Sequence, residues 1–371
     1  MRTLKKGATA LLALTVAAAG TVATIGAVAA QDDDQLVVGV SWNNYNEERW
    51  ARADEVAIKD TIEELGGRYV STNAKSSAAQ QADDIDLLLT LGVDALIVLA
   101  QDSNAIIPAV TAALDQGVPV IAYDRLIEDP RTLYITFDNT AVGKLQAEEV
   151  FKLVPEGRYA MIKGNEADLN AKVFLREGYD QAIGEAVESG AIEIVCEPFT
   201  DNWEPAKATT NMEQCLTQAD NDIDAVLSMN DGMATGIVVA LDAQGLTGIP
   251  LSGQDGDFAA LNRVANGTQT VSVWKDAFAL GRTAAKTAVD LANGVDLTAA
   301  EAPSDLPDYA TPPAGLKVVP FTTPNGVELP ASITLNPLAV TQENFNVPID
   351  SGWIPQAVAC QGVEAGSVPG C

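Results

Sequence analysis

Residues 94–124 read DALIVLAQDSNAIIPAVTAALDQGVPVIAYD, and this stretch decides the fold class. It begins and ends with short apolar runs, DALIVLA (94–100) and VPVIAYD (118–124), which are typical of strands buried on both faces. Between them, residues 104–116 have helical spacing, and the glycine of LDQGVP (114–119) is a helix stop signal. This order of strand, helix and strand predicts a βαβ unit with parallel strands.

The same unit recurs along most of the chain. Helical spacing separates most of the further strand-like runs, which are LVVGVSW (36–42), LYITFDN (133–139), YAMIKGN (159–165), IEIVCEPF (192–199), AVLSMND (225–231), IPLSGQD (249–255) and TVSVWKD (270–276). We therefore predict an α/β protein with parallel sheets. Roughly eight or nine units are too many for one open sheet, so we expect two doubly wound lobes. A (β/α)₈ barrel is the alternative, because it has a similar length and alternation.

The pattern decays beyond about Gly294. Residues 299–317 are rich in proline, alanine and acids and are expected to form a surface loop. One last strand is predicted at SITLNP (332–337), and the tail from Pro348 is expected to be irregular.

The first 30 residues do not belong to the folded pattern. Arg2, Lys5 and Lys6 precede a long apolar run that ends in small residues before Gln31, as in a secretory signal peptide. We expect cleavage within residues 27–31, export to the periplasm or another extracellular site of the cell envelope, and no membrane insertion of the mature protein.

The composition argues against several classes of function. The chain has 51 acidic and 22 basic residues and a net charge of −29, so its surface should repel nucleic acid and anionic lipid. It contains no histidine, which is the commonest general base and a usual zinc ligand. The G-x-S-x-G, P-loop and H-E-x-x-H motifs do not occur. We predict that the protein is not an enzyme and uses no metal and no cofactor.

The four cysteines are predicted to form disulfides. They are Cys196, Cys215, Cys360 and Cys371, an even number, and their spacing resembles no zinc motif. Three pairings are open in principle. We favour Cys196 with Cys215 and Cys360 with Cys371, because each pair closes a short loop.

Polar residues follow nearly every predicted strand, and in doubly wound sheets ligands bind beyond these carboxyl ends. The endings are SWNN (41–44), YDR (123–125), FDN (137–139), KGN (163–165), FTDNW (199–203), MND (229–231), GQD (253–255) and VWK (273–275). For Asp138, Asn139 and Asp231 we prefer capping of the next helix as the interpretation. The full set nevertheless favours a binding site.

Asp124 and Arg125 are adjacent at the end of one such strand. A sugar hydroxyl both donates and accepts, whereas an ionised aspartate only accepts and an arginine only donates. The pair can therefore hold neighbouring hydroxyls of a neutral ligand. A salt bridge that fixes a loop is the alternative.

Four of the five tryptophans also lie near these ends, namely Trp42, Trp50, Trp203 and Trp274. A flat indole suits the C–H face of a pyranose, although for any one ring alone we prefer packing in the core or between the lobes as the interpretation.

Several segments resemble the periplasmic sugar-binding proteins of ABC transporters. They are ERW (48–50), AYDR (122–125), YITFDNTAVGKLQA (134–147), LNAK (169–172), SMND (228–231), SGQDGD (252–257) and GTQTVSVWK (267–275). The sequence is most similar to the D-xylose-binding members of the ribose-binding-like group. The resemblance implies the type I fold, with two Rossmann-like lobes, 36–137 plus 277–330 and 138–275 plus 336–350, an irregular tail at 351–371, and three crossings near 137–140, 275–277 and 325–338.

The same resemblance implies a ligand set for one monosaccharide. Trp50 and Trp203 are expected to sandwich the sugar ring. The residues expected to hydrogen-bond its hydroxyls are Arg49, Asp124, Arg125, Asn170, Lys172, Asn230, Asp255 and Lys275. D-Xylose is the expected ligand, a transient ABC permease is the expected partner, and the protein is expected to be a monomer.

The first loop, SWNNYN (41–46), and the cysteine-bearing tail depart from the family pattern, which leaves the sugar open. Glucose, arabinose, ribose or an autoinducer are alternative ligands. Chemotaxis or signalling, and a secreted sugar-active enzyme on a barrel, are alternative roles.

Overall fold

The computed structural model describes residues 35–371. The predicted signal peptide and its cleavage region lie outside the described residues. Within the described part of the chain, no helix combines the length and the apolar character that crossing a membrane requires.

The described chain alternates strands and helices as predicted, and it also contains a strand at Arg68–Asn73 that was not predicted. The strands are β1 (Val37–Trp42), β2 (Arg68–Asn73), β3 (Ala95–Val98), β4 (Val120–Tyr123), β5 (Leu133–Phe137), β6 (Gly157–Ile162), β7 (Ile192–Cys196), β8 (Ala225–Ser228), β9 (Ser272–Trp274), β10 (Val319–Thr322), β11 (Glu328–Leu335) and β12 (Leu338–Val340). The helices are α1 (Glu55–Glu64), α2 (Ala78–Thr90), α3 (Ile107–Asp115), α4 (Asn139–Leu153), α5 (Leu175–Ser189), α6 (Pro205–Gln218), α7 (Asp231–Ala243), α8 (Phe258–Ala265), α9 (Ala277–Ala292), α10 (Asn346–Asp350) and α11 (Gln356–Ala359).

The first lobe is built on a seven-stranded sheet with the order β10-β11-β5-β4-β3-β1-β2, and we call it the large-sheet lobe. Its strands are parallel except for β10, which runs antiparallel to β11. Ile58 of α1 and Ala284 of α9 pack on one face, and Leu88 of α2 and Val110 of α3 pack on the other. The continuous apolar strands are therefore covered on both faces, as the sequence predicted.

The second lobe, the small-sheet lobe, contains the parallel sheet β7-β6-β8. Its core takes residues from α4, α5, α6 and α7, including Val142, Tyr179, Met212 and Ile237. The barrel alternative is wrong, because the strands form separate open sheets. Cys196 at the end of β7 is bonded to Cys215 of α6, with their Cα atoms 5.8 Å apart, which is the pairing we favoured.

The chain passes between the two lobes three times. The passages are the short connections from Phe137 of β5 to α4, from Trp274 of β9 to α9, and from Leu335 of β11 to β12. β12 then pairs antiparallel with β9. Sheet membership does not fix the limits of a folding domain, so the predicted lobe boundaries stay a prediction.

Two predicted elements differ from the structure. The predicted strand at 249–255 is replaced by isolated bridges, Leu251 with Val226 and Gln254 with Val273. Pro250 has no N–H to donate to a neighbouring strand, and the backbone of Asp255 has a φ of 97°, which is not a strand conformation. The segment therefore leaves the sheet, and its end faces the other lobe.

The region after residue 294 contains more structure than predicted. Three strands, β10 to β12, form where one was expected, because β11 reaches the edge of β5 and extends the large sheet. The tail contains the short helices α10 and α11, and the bond between Cys360 and Cys371 closes it as predicted, with the Cα atoms 5.4 Å apart.

Candidate ligand-binding site

A small cavity of about 20 Å³ lies between the two lobes, at the carboxyl ends of their strands. The large-sheet lobe contributes residues that follow β1 and β4, and the small-sheet lobe contributes residues that follow β6, β7 and β8. The lining residues are Glu47, Trp50, Asp124, Arg125, Asp168, Asn170, Trp203, Asn230, Gln254, Asp255 and Lys275. None of these residues is more than 6% exposed.

Asp124 lies among three cations. Its Oδ2 atom is 3.2 Å from Arg49 Nη1 and 3.7 Å from Lys275 Nζ. Burial acts to raise the pKa of Asp124, but the positive charges of Lys275, Arg49 and Arg125 outweigh it and hold the pKa below its usual value. Asp124 is therefore an ionised acceptor at neutral pH.

Arg125 joins carboxylates from both lobes. Its Nη2 atom lies 3.0 Å from Glu47 Oε1 of the large-sheet lobe, and its Nε atom lies 3.0 Å from Asp168 Oδ2 of the small-sheet lobe. Nη1 also donates to the Ala100 carbonyl at 3.1 Å. These three contacts hold the side chain in one orientation in the closed structure.

Charges of both signs line the cavity. Its wall has four carboxylates and two cations, and a third cation, Arg49, contacts Asp124 from outside the lining. Such a wall offers both hydrogen-bond donors and acceptors, which suits a ligand rich in hydroxyls.

The two lining tryptophans come from opposite lobes. Trp50 is held by a hydrogen bond from its Nε1 to Glu47 Oε2 at 2.6 Å, and the Arg49 guanidinium lies 4.5 Å from its ring centroid. Trp203 packs directly over Gly164, where a Cβ atom would come within 2.2 Å of the Trp203 ring. Residue 164 therefore has no room for a side chain.

Three buried polar atoms of the cavity wall have no hydrogen-bond partner among residues 35–371. They are the donors Trp203 Nε1 and Arg125 Nε, of which the second has only an ion pair with Asp168, and the acceptor Gln254 Oε1. Buried polar groups are normally paired, so this wall is suited to a ligand that can both donate and accept.

Three residues of the site have a left-handed backbone without being glycine. The φ angles are 60° at Asp124, 56° at Trp203 and 97° at Asp255. Each such residue costs about 1–3 kcal/mol and persists only where its surroundings enforce it. Backbone strain of this kind is typical of binding and catalytic sites, so these three positions support the cavity as the candidate site.

The structure brings most of the predicted ligand residues together. Eight of them line the cavity, and Arg49 supports Asp124 from behind. Lys172 does not line the cavity, and its ammonium group lies 3.5 Å from Glu166 on a half-exposed surface.

Trp42 and Trp274 are core residues and not ligands of the cavity. Trp42 packs edge-on against Tyr123, and Trp274 packs 5.5 Å from Trp353. Both are almost fully buried, as is Asn43 of the first loop, and none of the three lines the cavity.

The capping interpretation is correct only for Asp138, which accepts from the Ala141 N–H at 2.8 Å. Asn230, not Asp231, caps α7. Asp231 instead accepts from Gln269, Ser272 and two backbone N–H groups, and so anchors the loop that holds Asp255. Asn139 donates to Asn170 Oδ1 at 3.0 Å and positions that cavity residue.

Three lining residues, Glu47, Asp168 and Gln254, were not in the predicted set. Glu47 and Asp168 each stand two positions before a predicted ligand, and Gln254 is part of the GQD ending. Proximity to these predicted residues was the only signal in the sequence for the three missed residues. The sequence does not show that Arg125 pairs with two buried carboxylates.

The lobes are in contact around the cavity. Asn170 Nδ2 donates to the Asp124 carbonyl at 3.2 Å, and Gln101 Nε2 donates to Asn202 Oδ1 at 2.9 Å. The backbone N–H of Ser103 also reaches the Ala167 carbonyl at 3.3 Å. The structure is therefore that of a closed cleft.

Comparison with known proteins identifies the family. The profile of a family described as "Periplasmic binding protein domain" matches residues 38–296. The D-xylose-binding periplasmic protein of Escherichia coli (strain K12) is 38% identical over 262 residues, covering 70% of this chain and 79% of that protein. The D-xylose-binding periplasmic protein of Haemophilus influenzae is 33% identical over 313 residues, covering 84% of this chain and 88% of that protein.

A solved structure also has the same fold. It is a carbohydrate transporter solute-binding protein from Chloroflexus aurantiacus in complex with D-glucose, with a TM-score of 0.74 and 25% identity, covering 87% of this chain and 98% of that one. The relatives are binding proteins, and this chain is a binding protein and not an enzyme. The chain belongs to the periplasmic binding protein family, and within it to the sugar-binding, ribose-binding-like group.

Proposed function

We propose that the protein captures one molecule of D-xylose in the cavity between its lobes and delivers it to an ABC permease. The observation that carries this proposal is the buried cavity in which carboxylates, cations and two indoles from both lobes converge. The D-xylose-binding relatives support the choice of sugar.

The cavity of this closed form is small. Its volume of about 20 Å³ lies far below the range of roughly 300–1,000 Å³ that is usual for ligand sites, so the walls must move apart to admit a sugar. A pentopyranose lacks the hydroxymethyl group of a hexose and therefore needs less displacement of the walls.

In the proposed complex, Trp50 and Trp203 contact the two faces of the ring. Asp124 and Asp255 accept from hydroxyls, and Arg125, Lys275 and Asn230 donate to them. These contacts need both lobes at once, so the sugar stabilises the closed state over an open one.

The lobes of the proposal are residues 36–137 with 277–330 and residues 138–275 with 336–350. They rotate about the three crossings, and the closed monomer is the form that the permease recognises in the periplasm or cell envelope. Uptake of labelled D-xylose at low concentration is expected to disappear when the gene is deleted and to return on complementation.

Calorimetric titration of the purified protein with D-xylose, D-glucose, D-ribose and L-arabinose tests the sugar assignment. D-Xylose is expected to bind at least about tenfold tighter than the others, a difference of about 1.4 kcal/mol. Tighter binding of another sugar refutes the D-xylose assignment but leaves a sugar receptor. Absence of binding by every monosaccharide refutes the function itself.

D-Glucose is the second candidate, because the Chloroflexus aurantiacus structure holds that sugar on the same fold. The same titration decides between the two sugars. Small-angle scattering in parallel should show a smaller radius of gyration with the bound sugar than without it.

A further inference from the structure

A second cavity, of about 250 Å³, lies beside the crossing from β5 to α4. We call it the hinge cavity. Tyr134 and Phe321 of its wall belong to the large-sheet lobe, whereas Phe174 and Glu177 belong to the small-sheet lobe. It shares no lining residue with the cavity between the lobes.

Aromatic rings form one wall of the hinge cavity. The Phe321 ring lies 5.3 Å from that of Tyr134 and 6.1 Å from that of Phe174, in edge-to-face arrangements. Phe174 and Phe321 are only partly buried, so part of their apolar surface remains accessible. Such rings attract both flat apolar groups and cations.

A buried amide lines the same cavity and has unused bonding capacity. Asn139 is 4% exposed, and its Nδ2 donates to Thr136 Oγ1 at 3.1 Å and to Asn170 Oδ1 at 3.0 Å. Its Oδ1 atom has no hydrogen-bond partner anywhere in the described chain. Buried acceptors are normally paired, so this atom is suited to accept a hydrogen bond from an N–H or O–H donor of a ligand.

The charge of the lining is purely negative. Asp138 and Glu177 both line the cavity, and no lysine or arginine does. The two cations nearest to Glu177 in the sequence are paired with other carboxylates. Arg176 pairs with Asp180, and Lys172 lies near Glu166. Carboxylates, an unpaired amide oxygen and aromatic rings together favour a positively charged donor.

We propose that the hinge cavity binds a small organic cation, a primary ammonium attached to a flat apolar body. The ammonium group donates to Asn139 Oδ1 and faces the carboxylates of Asp138 and Glu177. The apolar body packs against Phe174 and Phe321. This site is separate from the proposed sugar site and does not depend on the identity of the sugar.

Titration with benzylammonium, without any sugar present, tests the proposal, and benzyl alcohol serves as the neutral isostere. The wild-type protein is expected to bind benzylammonium saturably and at least about fivefold tighter than benzyl alcohol. Equal affinities for the two compounds overturn the proposal, because the proposed site recognises the positive charge of the ligand. Absence of saturable binding also overturns it.

The double variant Asp138→Asn/Glu177→Gln locates the binding. Asparagine keeps the cap of α4, so the fold should be preserved, and circular dichroism checks this. Affinity for benzylammonium is expected to fall about tenfold in this variant and to stay unchanged in Glu188→Gln, which changes an exposed acid of α5, the helix that also contains Glu177. An unchanged affinity in the double variant places the cation elsewhere and overturns the proposal. These titrations contain no sugar, so their outcome does not depend on whether the protein binds D-xylose.

Discussion

Arg49 Nη1 of the large-sheet lobe lies 3.6 Å from Asp255 Oδ1 of the small-sheet lobe. The same guanidinium is held by Asp54, with Nη2 2.6 Å from Oδ1, and both groups are fully buried. Arg49 is therefore fixed to its own lobe while it attracts a carboxylate of the other. Closure of the cleft and the charge arrangement of the cavity are physically linked through this side chain.

Replacing Asp124 by asparagine should remove most of the affinity for sugar. The change deletes the negative charge that Arg49 and Lys275 share and turns a pure acceptor into a mixed group. We expect affinity to fall at least about a hundredfold, or about 2.7 kcal/mol. Calorimetry measures the loss, and the exposed Asp83→Asn serves as the control. Affinities equal to wild type would remove Asp124 from the site.

Arg125→Ala should abolish sugar binding and also weaken the fold. Without the guanidinium, the buried carboxylates of Glu47 and Asp168 lose their shared partner. Breaking a buried ion pair in this way typically costs about 3–5 kcal/mol. Urea unfolding should therefore show a lower midpoint than wild type, and a normal midpoint would show that Arg125 is not structurally coupled to either carboxylate.

Gly164→Ala should impair binding by moving Trp203. The added methyl group would lie 2.2 Å from the indole, so the ring must leave its place in the cavity wall. We expect a loss of affinity of about tenfold or more, since about 1.4 kcal/mol corresponds to tenfold. Gly184→Ala is the matched control, because a Cβ there meets nothing within 4 Å and the α5 helix should gain about 0.5–1 kcal/mol. Equal sugar affinities in the two variants would contradict the role of Trp203.

Arg52→Ala should weaken sugar binding without touching the cavity. The guanidinium lies 4.2 Å from the Phe258 ring of α8 and 4.1 Å from the Trp353 ring of the tail, and so connects the first lobe to both. Each cation–π contact contributes about 0.5–2 kcal/mol, and we expect affinity to fall roughly fivefold as the closed state loses them. Lys59→Ala, on an exposed face of α1, is the control. An equal loss of sugar affinity in Lys59→Ala would mean that the net charge of the protein, and not the contacts of Arg52, determines the effect.

Asp257→Asn should stabilise the protein at high pH. Burial raises the pKa of Asp257 well above its usual value, and the negative charges of Asp231, Asp255 and Glu48 raise it further against the opposing effect of Arg52. The folded state thus keeps a proton that the unfolded state releases, and stability falls as pH rises above the unfolded value of 3.8.

The asparagine variant lacks this titration and loses no cap, because the Asp257 side chain makes no cap hydrogen bond to α8. Urea unfolding at about pH 8 should favour the variant, and the advantage should shrink toward about pH 4.5. Asp60→Asn, an exposed change, should show no such trend. An advantage that is constant with pH would mean that Asp257 is not the titrating group.

The sequence predicted the strands of the sheets better than it predicted the residues that support the ligand-binding residues. The β3–α3–β4 unit and the residues of YDR could be found, because apolar runs and their polar endings are local patterns. β10 was missed, because its exposure alternates and its position depends on pairing with β11. The roles of Asp231 and Asn139 were misjudged, since capping is a local explanation and their real partners lie 38 and 31 positions away.

The tryptophans show the same limit. All four occupy similar places relative to strand ends, yet Trp42 and Trp274 are core residues while Trp50 and Trp203 line the cavity. Only the packing of distant segments, such as Tyr123 on Trp42 and Trp353 on Trp274, separates the two groups.

The depth at which the cavity is buried governs how fast a ligand exchanges. With every lining residue at most 6% exposed, a sugar cannot enter or leave until the lobes separate. Association should therefore occur in two steps, encounter with an open form followed by closure, and the observed rate should level off at high sugar concentration. Release of a bound sugar can then be no faster than the opening of the lobes.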